Sequence, residues 1–186
     1  IASGQKAYGD IQLPAVFGDH MVLQRELPVP VWGLASPGEH VHVKFGEDEK
    51  ETIADDAGNW TVTLDPLSAS SEPRSLIVKG SNTIEFKDVL VGEVWVCGGQ
   101  SNMEWTVNGS NDPDRERKDA NRSTIRVIKA PHVTSSSPAF TIDAKWKKCT
   151  PETVGNFTAV GFTFGRDLQN ELDVPIGLLS INWGGT

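Results

Sequence analysis

At 186 residues, with 38% hydrophobic and 23% charged side chains, the chain has ordinary globular composition and enough length to bury a core. A formal net charge of -8 argues against nucleic acid or an anionic membrane as the main partner, since both require a basic face. No run reaches the roughly 18 apolar residues of a membrane span, and no charged-then-apolar leader is present. The start at Ile1 rather than methionine implies an amino-terminal segment removed or left out.

From about residue 11 to 90 the pattern predicts short, turn-punctuated strands at 21–24, 29–32, 40–45, 60–64, 76–78 and 83–86. Val41, Val43 and Phe45 alternate with His42 and Lys44, which suits a strand with one buried face. Asp55-Asp56-Ala57-Gly58-Asn59 is a hairpin-turn signal, with Gly58 supplying positive φ. Strands at this spacing predict a β-sandwich, jelly-roll or Ig-like, over residues 1–90.

The pattern then alternates between strand and helix. Buried strands are predicted at 89–97, 125–128 and 176–181, and helices at 112–121 and 157–172. The second helix carries Phe157, Val160, Phe164, Leu168 and Leu172 as one apolar stripe, and Gly161 and Gly165 allow close approach to a sheet. Pro175 ends it, and the strand that follows makes an α-then-β step into a parallel sheet. Residues 131–138, with three consecutive serines, read as an exposed loop. Cys97, in an apolar strand, reads as a buried thiol, whereas Cys149, in a polar stretch, is freer to bond elsewhere. Asn-x-Ser/Thr strings begin at Asn59, Asn108, Asn121 and Asn156, acceptors only if the protein is secreted from a eukaryotic cell.

One block carries chemistry. Gly98-Gly99-Gln100-Ser101-Asn102-Met103 directly follows a predicted buried strand. Open α/β sheets bind ligands outside the carboxyl ends of their strands, and glycines there let the chain turn sharply enough to expose a hydroxyl. Met103 replaces the last glycine of a G-x-S-x-G elbow. A serine hydroxyl needs a base, usually a histidine held by a carboxylate, and donors for the oxyanion.

The block resembles the first motif of the SGNH-type esterases, in particular the sialate O-acetylesterase family, whose members carry a similar Gly-Gln-Ser-Asn-Met. Asp19-His20-Met21-Val22-Leu23-Gln24-Arg25, Val31-Trp32-Gly33, Asp88-Val89-Leu90-Val91-Gly92-Glu93-Val94-Trp95, Pro175-Ile176-Gly177-Leu178-Leu179 and Trp183-Gly184-Gly185-Thr186 are similar to that family's segments in the same order. The resemblance implies an α/β fold with an added all-β region. The amino-terminal β-sandwich would precede the first part of an SGNH/flavodoxin-like three-layer α/β/α domain, residues 91–186, incomplete in this chain.

It implies further that Ser101 is the nucleophile and one oxyanion donor through its backbone N–H, with Gly184 or Gly185 as another donor. Substrates would be O-acetylated carbohydrates, most specifically sialic acids, hydrolysed through an acetyl-enzyme without metal or other cofactor. An acetylxylan or other polysaccharide deacetylase fits the same residues, and a noncatalytic carbohydrate-binding module is the reading from another class. A secreted, periplasmic or lysosomal location goes with the family.

Trp105 and Trp183 flank these elements and suit either sugar stacking or core filling. Glu104 reads as an exposed carboxylate, although its position could perturb a catalytic group. None of His20, His40, His42 and His132 lies in the Asp-x-x-His string that the family's base implies. His40 and His42 share a strand face and read as surface residues rather than a metal pair. His132 is the one histidine beside the α/β part. The expectation is therefore that a second chain from the same precursor, or a missing segment, supplies the histidine and aspartate, with Cys149 as a candidate link.

Overall fold

Alternating burial explains most of the strands in the computed structural model, which describes residues 9–186. In chain order they are β1 (Val22–Gln24), β2 (Val29–Leu34), β3 (His40–Phe45), β4 (Asp48–Ile53), β5 (Asn59–Leu64), β6 (Ser70–Lys79) and β7 (Thr83–Cys97). Strands β2 and β5 form an antiparallel pair, and β4, β3, β6 and β7 are neighbours in a larger sheet. Val31, Trp60, Val62 and Leu64 from the pair meet Val41, Val43, Phe45, Leu76, Val78 and Val89 in one apolar cluster. Burying these side chains is the main force holding the two layers together.

Strand β4 carries no apolar alternation and escapes the pattern. It forms an outer strand on β3, where cross-strand pairs such as Lys44 with Glu49 replace apolar contacts. The turn at 55–59 has the expected chemistry: Asp55 Oδ1 accepts the N–H of Ala57 and of Asn59, and Gly58 has φ +81°. It does not close a hairpin, because β4 pairs with β3 and β5 with β2. It carries the chain from one layer to the other.

The runs at 83–86 and 89–97 are one 15-residue strand. Strand β7 pairs with β6 up to Val91, runs parallel to β1 over Leu90–Gly92, then parallel to β10 (Ile176–Ser180) from Glu93 to Cys97. Strand β8 is Arg122–Lys129 and β9 is Lys147–Cys149. One eight-stranded sheet therefore runs through the chain in the order β4-β3-β6-β7-β10-β8-β9, with β1 beside β7. Strand β10 lies between β7 and β8, and β9 covers the outer edge of β8.

The helices are α1 (Ser101–Glu104), α2 (Pro113–Asp119) and α3 (Ala159–Leu172), with a 3-10 turn at Val107–Gly109. Asp112 and Thr158 cap α2 and α3 by accepting the N–H of Arg115 and of Gly161. Asp173, at φ 51°, and the following Pro175 end α3. Its buried face corrects the expected stripe in part: Gly161 and Gly165 approach the sheet as expected, Phe157 is buried and Leu168 packs against the core, but Phe162 is buried while Val160, Phe164 and Leu172 are exposed. The glycines decide this. A Cβ at 161 would stand 2.8 Å from Cys97 Sγ and one at 165 would stand 2.7 Å from Leu178 Cδ1, so the helix turns that side to the sheet.

Cys97, Ile125, Val127, Cys149, Phe157, Phe162, Ile176 and Leu178 belong to a second apolar cluster. Cys149 is fully buried there and unpaired, which overturns the expectation that it is free to bond elsewhere. The short β9 brings it inward against β8 despite its polar neighbours.

Candidate active site

Two strands and a one-turn helix build the site. Past the ends of β7 and β10 the backbones stay paired, with the Ile181 N–H on Cys97 O at 3.1 Å and the Trp183 N–H on Gly99 O at 3.0 Å. This extension brings the two glycine-containing loops together. Ser101 opens α1 and is exposed; a Cβ on Gly184 would lie 3.7 Å from its Cα. Helix α1 is held at its far end, where the Ala159 N–H donates to Trp105 O at 2.8 Å and Thr158 Oγ1 lies 3.5 Å from Met103 Sδ. The start of α3 therefore anchors the serine turn.

The structure brings together Ser101 and Gly184 of the three expected site residues. Gly185 follows at φ +84°, with open space where a Cβ would be, and its N–H has no hydrogen-bond partner among the described residues. The Gly184 N–H is engaged: it donates to Glu104 Oε2 at 2.5 Å. Glu104 is thus not the free surface carboxylate its sequence context suggests. Its Oε1 lies 3.3 Å from His132 Nε2, which is also 3.0 Å from Asn182 O. The His132 ring stacks on Trp183 with centroids 4.5 Å apart and planes 9° from parallel. The spacing of three between Ser101 and Glu104 was the available signal, since it places both on one side of a helical turn.

Ser101, Glu104, Trp105, Thr106, Gly109 and Gly184 line an open pocket of about 480 Å³. Trp105 is 61% exposed and donates its indole N–H to Gly109 O at 2.6 Å, so it forms a fixed apolar wall rather than core filling. His20 pairs with Asp88, and His42 lies 3.5 Å from Glu51 at the surface. Among the described residues no group of three or more His, Cys, Asp or Glu side chains is arranged to hold a metal. Burial pushes the Cys97 thiol up to about 11 and the Cys149 thiol to about 12, so neither is a nucleophile at neutral pH.

Serine at the carboxyl end of a parallel strand, beside a glycine pair on the adjacent strand, is an arrangement suited to acyl transfer. Comparison with known proteins points to carbohydrate acetylesterases. A solved carbohydrate acetylesterase from Xanthomonas citri superposes with a TM-score of 0.90 at 38% identity, over 95% of this chain and 41% of that one.

Among curated proteins, the sialate O-acetylesterase of Mus musculus is 32% identical over 90% of this chain and 35% of its own length. That of Homo sapiens is 31% identical over 89% of this chain and 36% of its own. No protein-family model matches. The likeness to sialate O-acetylesterases read from the motifs thus extends over nearly the whole chain, which spans about a third of the length of these curated relatives.

Proposed function

We propose that this chain carries the nucleophile of a carbohydrate O-acetylesterase. Ser101 Oγ would attack the acetyl carbonyl, a base would take its proton, and the sugar hydroxyl would leave protonated. Water would then hydrolyse the acetyl-serine ester, releasing acetate. The Ser101 N–H and an amide of the Gly184-Gly185 pair would hold the oxyanion; removing one such donor typically costs about a hundred- to thousandfold in rate. The observation carrying this reading is the juxtaposition of Ser101 with Gly184 in a chain similar throughout to carbohydrate acetylesterases.

The base is proposed to come from polypeptide beyond this chain. His132, the histidine nearest the site in the fold, has its Nε2 directed at Glu104 and Asn182. The exposed apolar residues Trp95, Val96, Val160 and Phe164, on β7 and α3, support cover by further chain. O-acetylated sialic acid is the proposed substrate, by similarity to proteins named for it. An O-acetylated polysaccharide is the second reading, because the solved relative is described only as a carbohydrate acetylesterase. Hydrolysis of acetylated sialic acid and acetylated xylan by the full-length protein, wild type and Ser101→Ala, tests the proposal. Turnover should fall by about a thousandfold or more in the variant; wild-type turnover in it would remove Ser101 from the mechanism.

A further inference from the structure

We infer that Glu104 is a positioning residue for the oxyanion site, clasping Gly184 so that Gly185 presents the donating N–H. The inference rests on the proposed ester hydrolysis at Ser101 and names the arrangement that serves it. Glu104 lies on the same helical turn as Ser101, and its carboxylate reaches across to the loop after β10.

Two contacts converge on that carboxylate. Oε2 accepts the Gly184 N–H at 2.5 Å, and Oε1 lies 3.3 Å from His132 Nε2. The His132 ring in turn lies flat on Trp183, the residue before Gly184. A charge-assisted bond from a backbone amide is among the stronger hydrogen bonds a protein makes. It fixes the loop and removes the Gly184 amide from the pool of free donors. The next amide, Gly185, is without a partner among the described residues and sits at φ +84°.

A second observation is steric. A Cβ at 184 would stand 2.5 Å from Glu104 Oε2, so the glycine is what allows the carboxylate to seat against the backbone. At 185 nothing among the described residues lies within 4 Å of where a Cβ would stand, which leaves that side open for a substrate carbonyl. Gly184 thus admits the clasp and Gly185 faces open space.

Full-length Glu104→Ala, Glu104→Gln and Gly184→Ala, with the Glu104→Ala/Gly184→Ala double variant, test this. Loss of the clasp should lower kcat for an acetyl ester by about 10- to 100-fold with KM changed less than about threefold, as expected for misplaced catalytic groups. Glu104→Gln, whose amide oxygen still accepts from Gly184, should recover most of kcat. Gly184→Ala should match Glu104→Ala, and the double variant should be no worse than either, because both remove one interaction.

Selective glycine labelling with nitrogen-15 gives a readout independent of turnover. The Gly184 amide proton should shift upfield in Glu104→Ala, and its exchange should quicken by about tenfold. Unchanged kcat in Glu104→Ala would overturn the inference, and a raised kcat would identify the carboxylate as a plug instead. Retained turnover in Ser101→Ala would instead end the esterase reading, while the Gly184 shift would still report the clasp.

Discussion

Asp88→Ala should be among the most destabilising single changes in this chain. Asp88 sits within β7, at φ 56°, where the strand passes from the first apolar cluster towards the second. Its carboxylate takes Arg126 Nη1 at 2.9 Å and Nη2 at 3.0 Å, Lys148 Nζ at 2.9 Å and His20 Nδ1 at 2.7 Å. Arg126 is 2% exposed, so deleting the carboxylate leaves a buried guanidinium with only carbonyl acceptors at Ser123, His20 and Asp88.

Breaking a buried pair by removing one partner costs about 3–5 kcal/mol. An alanine in the left-handed region adds about 1–2 kcal/mol. Against a typical total of about 5–15 kcal/mol, this is a large fraction. Asp88→Asn, which tolerates the backbone and keeps an acceptor, should cost roughly half as much.

Urea unfolding at pH 7 measures both variants. Burial alone would raise the Asp88 carboxyl, but the hydrogen bonds from Arg126, Lys148 and His20 outweigh it and hold it well below its ordinary 3.8. The folded value lies below the unfolded one, so the stabilisation is complete above about pH 4 and is lost as pH falls through the folded value. The gap between wild type and Asp88→Ala should therefore narrow in acid. A loss under about 1 kcal/mol at pH 7, or a gap indifferent to acid, would refute the reasoning.

Two further outcomes follow from packing. Gly92→Ala places a Cβ 1.9 Å from Pro175 O, a backbone atom, so β7 and the start of β10 must part; a loss of about 3 kcal/mol or more is expected by thermal unfolding. A wild-type Tm would show that the junction yields easily. Iodoacetamide at pH 8 should leave Cys97 and Cys149 unmodified in the native protein and label both after denaturation, since burial raises both thiols to about 11 and 12. Native labelling of Cys149, or an interchain disulfide at it, would contradict its burial.

How much of this was legible in the sequence depended on which force set each feature. Where apolar burial decides, as in β3, alternation gave the strand and its inward face. Strand β4 was invisible because cross-strand charge pairs hold it. Helix α3 was found and its glycines were rightly read as approaching the sheet, but the apolar stripe was misassigned at Val160, Phe164 and Leu172, which are exposed. The burial of Cys149 depends on where β9 lies, which no local pattern encodes. Ser101 and the glycine pair were legible as motifs. The clasp by Glu104 was not, because it joins residues 80 positions apart through a backbone amide.

The most direct test is covalent labelling of the full-length protein with a serine-directed fluorophosphonate, followed by peptide mass spectrometry. The account predicts one adduct, on Ser101, whose formation parallels loss of acetyl-ester hydrolysis and which is absent from Ser101→Ala. Loss of hydrolysis with the adduct elsewhere, or hydrolysis that survives complete labelling of Ser101, would contradict it.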